Sequence, residues 1–243
     1  MKPIIPNNLL KYRSTLAALG LCATFQLITA TVFASTAAWE TIEQKQNPGE
    51  AWTLYSRPKS GSEFLEFRIE GGIDAPPAIV FEAVRESLTN KKYTPENEQR
   101  SIIKQTQDQL TLHIHINLPG PLSDRTMILQ YDFTQDENGV YAVKWQQHHA
   151  KPSSKSQDTI EMLNASGEWT LEKTLSGKTF VSVVGHGDLG GSIPAWLINS
   201  LSGQSFVKGL QQIRQIAVQI KARDQKNRQA ENDQLSHFLP VIK

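Results

Sequence analysis

The chain has 243 residues, 39% of them hydrophobic, with a formal net charge of +1 at pH 7. This leaves one domain or two small ones open, and the near-neutral balance excludes the strongly basic surface that a polyanion-binding protein presents. The single cysteine, Cys22, excludes an internal disulfide.

Residues 1–38 stand apart. Lys2, Lys11 and Arg13 form a basic front, residues 16–33 are nearly all apolar or small, and residues 32–38 offer small-residue cleavage sites. This is the pattern of a secretory signal peptide cut near residues 34–38, either after Ala34 or after Ala37. An uncleaved anchor in the inner membrane is the alternative, because the apolar run approaches the length that spans a bilayer. Removal takes three positive charges and no acidic one, leaving 22 basic against 24 acidic residues, a net charge of −2. That balance argues against nucleic acid as a partner. Cys22 leaves with the leader, so the mature chain carries no thiolate nucleophile.

Residues 51–57 and 64–73 alternate apolar and polar side chains around the turn Lys59-Ser60-Gly61 and predict two strands. Asp74 is an N-cap candidate; Pro76 and Pro77 suit a first helical turn, and Ile79, Val80, Phe81, Val84 and Leu88 follow at helical spacing, predicting a short helix. After a polar loop at 90–97, the period is two for most of ninety residues. Residues 101–106 and 109–118 form a hairpin, the second arm setting Leu110, Leu112, Ile114, Ile116 and Leu118 against Thr111, His113, His115 and Asn117. Residues 124–134 follow, with Met127, Leu129, Tyr131 and Phe133 on one side, then the hairpin turn 136–139 and a strand over 140–149. A polar loop at 151–156 and strands over 159–173 and 178–186 complete the meander.

A glycine-rich turn leads into a long helix. Ile193, Leu197, Leu201, Phe206, Leu210, Ile213, Ala217 and Ile220 recur in steps of mostly three or four, one apolar stripe that should cover the open face of a curved sheet. Pro194 fits its first turn. Gly203 and Gly209 lie inside the helix, each costing about 1 kcal/mol relative to alanine and softening it locally. Residues 221–243 are a charged tail, either a frayed helical extension or disordered. The order of elements is α+β, in one domain over 39–220.

Gly185, Gly187 and Gly190 match a G-x-G-x-x-G pattern, but no parallel strand lies beyond the helix to complete a dinucleotide-binding unit. His113 and His115 are explained by the wet face of a strand; with His148 and His149 they do not supply three convergent metal ligands. His186, Asp188 and Ser192 crowd too closely along the chain for a triad, and no G-x-S-x-G elbow exists. More informative are Tyr131, Trp145, Trp169 and Trp196, which fall where the inward face should be. Such bulk suits either a filled core or a walled cavity.

Three segments in order resemble START domains, the steroidogenic-acute-regulatory-related lipid-transfer modules, especially bacterial ones. Leu118 to Arg125 is similar to their Pro-loop-Arg-Asp segment, Gly167-Glu168-Trp169 to their G-x-W strand, and Asp188 to Trp196 to the lead-in to their last helix. Thr126 stands where the family usually has Asp, which removes any ion pair that acid would make. The resemblance implies a helix-grip fold, a curved antiparallel sheet around a long C-terminal helix with an internal apolar cavity, and no cofactor. It implies binding, and possible transfer, of one lipid or other hydrophobic molecule in a tunnel; joined to the leader pattern, the expectation is an exported, periplasmic protein, a monomer with transient membrane-surface contact. Leu112, Ile114, Met127, Leu129, Tyr131, Trp145 and Trp169 would line the sheet side and Leu197, Leu201, Phe206 and Leu210 the helix side, with Arg125 and Trp196 added to the ligand-binding set. Tyr131 would offer a phenol to a ligand hydroxyl or carbonyl. The last helix would act as a lid moving at Gly190-Gly191 or near Gly203. The alternative is an aromatase- or cyclase-like enzyme on the same fold, which would need acids or bases such as His148, Asp188 or Glu168 facing the cavity.

Overall fold

The computed structural model describes residues 37–148, 159–191 and 193–238. The leader over 1–36, the polar loop at 151–156, His149, Ser192 and the end of the tail at 239–243 lie outside the described residues. The strands are β1 (Glu40–Lys45), β2 (Trp52–Pro58), β3 (Leu65–Ile73), β4 (Glu98–Gln105), β5 (Gln109–Ile116), β6 (Asp124–Gln135), β7 (Tyr141–Gln147), β8 (Thr159–Glu161), β9 (Leu163–Lys173) and β10 (Thr179–Asp188). Helix α1 (Pro77–Thr89) and a single 3-10 turn (Lys91–Tyr93) separate β3 from β4, and helix α2 (Ala195–Phe238) follows β10. The strands form one sheet in the order β1-β2-β3-β10-β9-β7-β6-β5-β4. β8 stands off this path and pairs with β6 in parallel; the path itself is antiparallel. This is the predicted α+β helix-grip arrangement, with α2 laid along the curved sheet.

Cross-strand register explains the core. One row runs Phe133, Val143, Trp169, Val183, Ile69 and Leu54 across six neighbouring strands. The next runs Leu110, Tyr131, Trp145, Gly167, Gly185 and Phe67. Alternation puts both rows on the face toward the helices. Leu110, Val143, Leu171 and Ile69 are fully buried there, against Leu210, Ile213, Ile216 and Ala217 of α2. Phe81 of α1 stands edge-on to Phe133, ring centroids 5.6 Å apart.

Gly167 and Gly185 break the second row of large side chains. A Cβ on Gly167 would overlap both the Trp145 ring and the Val184 carbonyl oxygen, and one on Gly185 would come within 2.9 Å of Trp145 Cζ2 and of Phe206 Cζ. The two glycines therefore make the trough into which the indole of the neighbouring strand extends.

Several boundaries differ from the sequence expectation. β1 has no exposed–buried alternation to read, because it is an edge strand exposed nearly throughout. The strand predicted over 159–173 is two, divided at Met162: Asn164 takes a left-handed φ of 57°, which turns residues 159–161 away toward β6. Asp74 does not cap α1; the N-cap is Pro76 with no side-chain bond, and the Asp74 carboxylate lies 3.5 Å from Lys178 and 3.8 Å from Lys221. Pro194 precedes α2, its carbonyl accepting from the N–H of Leu197 at 3.0 Å. Past Ile220 α2 continues helically to Phe238, in line with a helical extension, one of the two readings of the tail. Gly187 lies within β10, whereas Gly190 and Gly191 take φ of 63° and 71°, values glycine alone adopts without strain.

The Gly167→Ala variant should unfold at markedly lower denaturant, losing about 3 kcal/mol, because the methyl meets a backbone oxygen and a packed ring. An unchanged urea midpoint would show that the indole does not occupy the trough.

Candidate ligand cavity

Between the sheet, α1 and α2 lies a cavity of about 230 Å³. Tyr131, Trp145, Trp169 and Val183 form its sheet wall, Val84, Ser87 and Leu88 come from α1, and Ser205, Phe206 and Gly209 from α2. Trp145 sits over the glycine trough, and Phe206 packs on Phe67 with ring centroids 5.9 Å apart. The lining is apolar except for three hydroxyls. Two of these are committed: Ser87 donates to the Val84 carbonyl at 2.6 Å and Ser205 to that of Leu201 at 3.1 Å. Tyr131 is only 7% exposed, and none of the described residues hydrogen-bonds its hydroxyl. Burial pushes the phenol's pKa up, with Glu98 adding to the shift and Arg100 opposing it. Tyr131 therefore stays neutral, offering one donor and one acceptor in an apolar space.

Arg100 Nη1 donates to the Ser87 carbonyl at 2.8 Å while its Nε holds Glu98 at 2.5 Å, which ties the edge strand to the last turn of α1.

The structure brings Tyr131, Trp145, Trp169 and Phe206 of the predicted set together. The others lie elsewhere. Leu112, Ile114, Leu129 and Leu210 are buried core, and Met127 packs against it. Leu197 belongs to a separate apolar cluster with Phe64, Ile193 and Ile198 under the first turn of α2. Trp196, 72% exposed, and Leu201, 51% exposed, point away from the sheet. Leu201 lies five residues before Phe206, which at 3.6 residues per turn puts it about 140° round the helix. In the first turn the inward position goes to Ile198, and Asn199 Oδ1 accepts the N–H of Leu65 at 3.0 Å.

Arg125 is not a ligand contact either. It is 1% exposed, and its guanidinium donates only to main-chain carbonyls: Leu189 at 2.6 Å, Gly190 at 3.2 Å, Asp124 at 3.3 Å, and Ser123. Burial lowers its pKa, and the Asp124 carboxylate offsets part of that. Five N–H donors in a fixed fork suit such a carbonyl cage, and the result is a clamp from β6 to the β10–α2 turn. Thr126, in the place of the family's acid, bonds instead to His113 Nε2 at 2.7 Å and donates to the Ile114 carbonyl at 3.2 Å.

The α1 residues, Val183, Ser205 and Gly209 were not read from the sequence as lining. Val84 and Leu88 look like core at helical spacing, and nothing in Ser205 or Gly209 marks a wall except their position beside Phe206. The groups a proton-transfer enzyme would draw on do not line the cavity. His148 is exposed, Glu168 pairs with Lys144 at 3.6 Å, and Asp188 Oδ1 accepts the N–H of Gly190 at 2.8 Å. His115 bonds Asp124 at 3.1 Å, and among the described residues no three ligating groups gather to hold a metal.

No family model matches the chain. An uncharacterised protein of Pseudomonas aeruginosa is 26% identical over 171 residues, 68% of this chain and 81% of that one. A STAR-related lipid transfer protein fragment from Xanthomonas axonopodis superposes with a TM-score of 0.63 at 22% identity, over 74% of this chain and 98% of that one. Human STARD10 gives 0.62 at 14% identity, over 77% and 76%. Human StAR-related lipid transfer protein 5 gives 0.62 at 15%, over 77% and 90%. The chain has the fold of START domains.

Replacing Arg125 by Met keeps the stem but leaves several buried carbonyls unpaired, and should cost about 3 kcal/mol in urea unfolding. Arg125→Lys should not restore it, because one ammonium cannot span the cage. A lysine variant as stable as the native protein would show that charge alone suffices.

Proposed function

We propose that this chain, built on the START fold, binds one hydrophobic small molecule in the cavity between α1, α2 and the sheet. The observation that carries this reading is Tyr131, 7% exposed, whose hydroxyl has no hydrogen-bond partner among the described residues in an otherwise apolar space. A bound carbonyl or hydroxyl would give that hydroxyl a partner. Most of the affinity would come from apolar burial, at about 0.8 kcal/mol per methylene. Ligands related to those of lipid-transfer proteins fit this chemistry: neutral, largely apolar, with one hydrogen-bonding group.

In this reading the wall contributed by Ser205, Phe206 and Gly209 is the lid. The clamp of Arg125 on Leu189 and Gly190 favours opening within α2, near Gly203 to Gly209, over opening at Gly190-Gly191. Transfer would follow from transient contact with a membrane surface. The leader pattern supports export to the periplasm. The protein acts as a monomer.

Native mass spectrometry of the protein purified from its own host should show a co-purifying apolar molecule. The Tyr131→Phe variant should retain it about fivefold more weakly, the loss of one hydrogen bond. A ligand-free native species, together with a phenylalanine variant of unchanged affinity for added apolar ligands, would contradict the proposal.

A further inference from the structure

α2 contains two glycines, and the surroundings distinguish them. At Gly203 a Cβ would stand 3.2 Å from Leu54 Cδ2 and 3.4 Å from Phe67 Cε1, so the absent side chain lets the helix approach β2 and β3. At Gly209 a Cβ would meet nothing within 4 Å. No packing demand explains a glycine there, and after proline glycine is the poorest helix former. Yet Gly209 lines the cavity, one turn beyond Ser205 and beside Phe206. Ser205 folds its hydroxyl back onto the Leu201 carbonyl, so neither residue projects into the space. On the sheet wall of the same space stands Tyr131, 7% exposed, its hydroxyl without a hydrogen-bond partner among the described residues.

We infer that Gly209 is a specificity-determining position: its missing side chain is part of the ligand's room and fixes the largest apolar body that fits while its polar group reaches Tyr131. This rests on the binding reading above and narrows it. A dry apolar cavity of about 150 Å³ holds a benzene, and ligand pockets for drug-sized molecules begin near about 300 Å³. At about 230 Å³ the space suits a neutral molecule of one to two rings, or a comparable short chain, carrying one carbonyl or hydroxyl. A two-chain lipid would not fit wholly within it.

The test uses the full chain and two neutral aryl ketones, acetophenone and 2-acetonaphthalene, titrated against tryptophan fluorescence, since Trp145 and Trp169 line the cavity. The native protein should bind both. Gly209→Leu should weaken the two-ring ketone by about tenfold or more and the one-ring ketone by less than about threefold. Its thermal midpoint should rise, whereas that of Gly203→Ala should fall. Phosphatidylcholine vesicles should not displace either ketone. Equal affinities in the native and Gly209→Leu proteins, or equal losses for both ketones, would overturn the inference while leaving the binding reading standing. Failure of the native protein to bind either ketone would overturn both.

Discussion

The interior is arranged around one contact: the indole of Trp145 extends across the trough left by Gly167 and Gly185, and Phe206 of α2 reaches the same trough at Gly185. In a sheet a large side chain normally meets large neighbours in the same row, and a covering helix then packs flush. Here two successive positions of that row carry no side chain, so the ring reaches toward β10 instead of standing up into the core. The volume it vacates, bounded by Trp169, Val183 and α1, is the cavity. A side chain at Gly167 would displace Trp145, and one at Gly185 would displace both Trp145 and Phe206.

α2 is held on either side of this region by an arginine that bonds main-chain carbonyls, one reaching from β6 to the turn before the helix and one near the helix's middle. Arg125 cages the turn before the helix, and Arg214 donates to the carbonyls of Gly72, Glu50 and Ala51, at 3.1, 3.1 and 2.7 Å. Gln212 adds a bond to the Tyr93 carbonyl at 2.9 Å. Carbonyl acceptors belong to the backbone, so these ties fix the helix to the sheet independently of neighbouring side-chain rotamers. Between the two anchors lie Ser205, Phe206 and Gly209.

The fold was largely legible because period two and period 3.6 each persist over long stretches. β5 shows this best, with Leu110, Leu112 and Ile114 buried and His113 and His115 outside, as their alternation requires. Elements without alternation were not legible: β1 is exposed on both faces, and the parallel pairing of β8 depends on a left-handed turn at Asn164 that no motif announces. The cavity was read only from its aromatic side. Bulk pointed to Tyr131, Trp145 and Trp169, and also to Trp196, which lies in the first turn, where Ile198 takes the inward position; the space itself is made by what is absent, at Gly167, Gly185 and Gly209. The helical stripe read by spacing supplied Phe206 but also took in Leu201, which geometry rotates outward. Arg125 matched a motif, and the motif position turned out to brace the loop and not to touch the cavity.

The central claim is that this space is a ligand's place and not a packing remainder. A crystal structure of the protein as purified from its host tests it most directly. The account expects a molecule between Phe206 and Trp169 with an oxygen in hydrogen-bond reach of the Tyr131 hydroxyl, about 2.7 Å away. A cavity closed by rotation of Trp145 or Phe206, with the Tyr131 hydroxyl bonded to the protein itself, would contradict it.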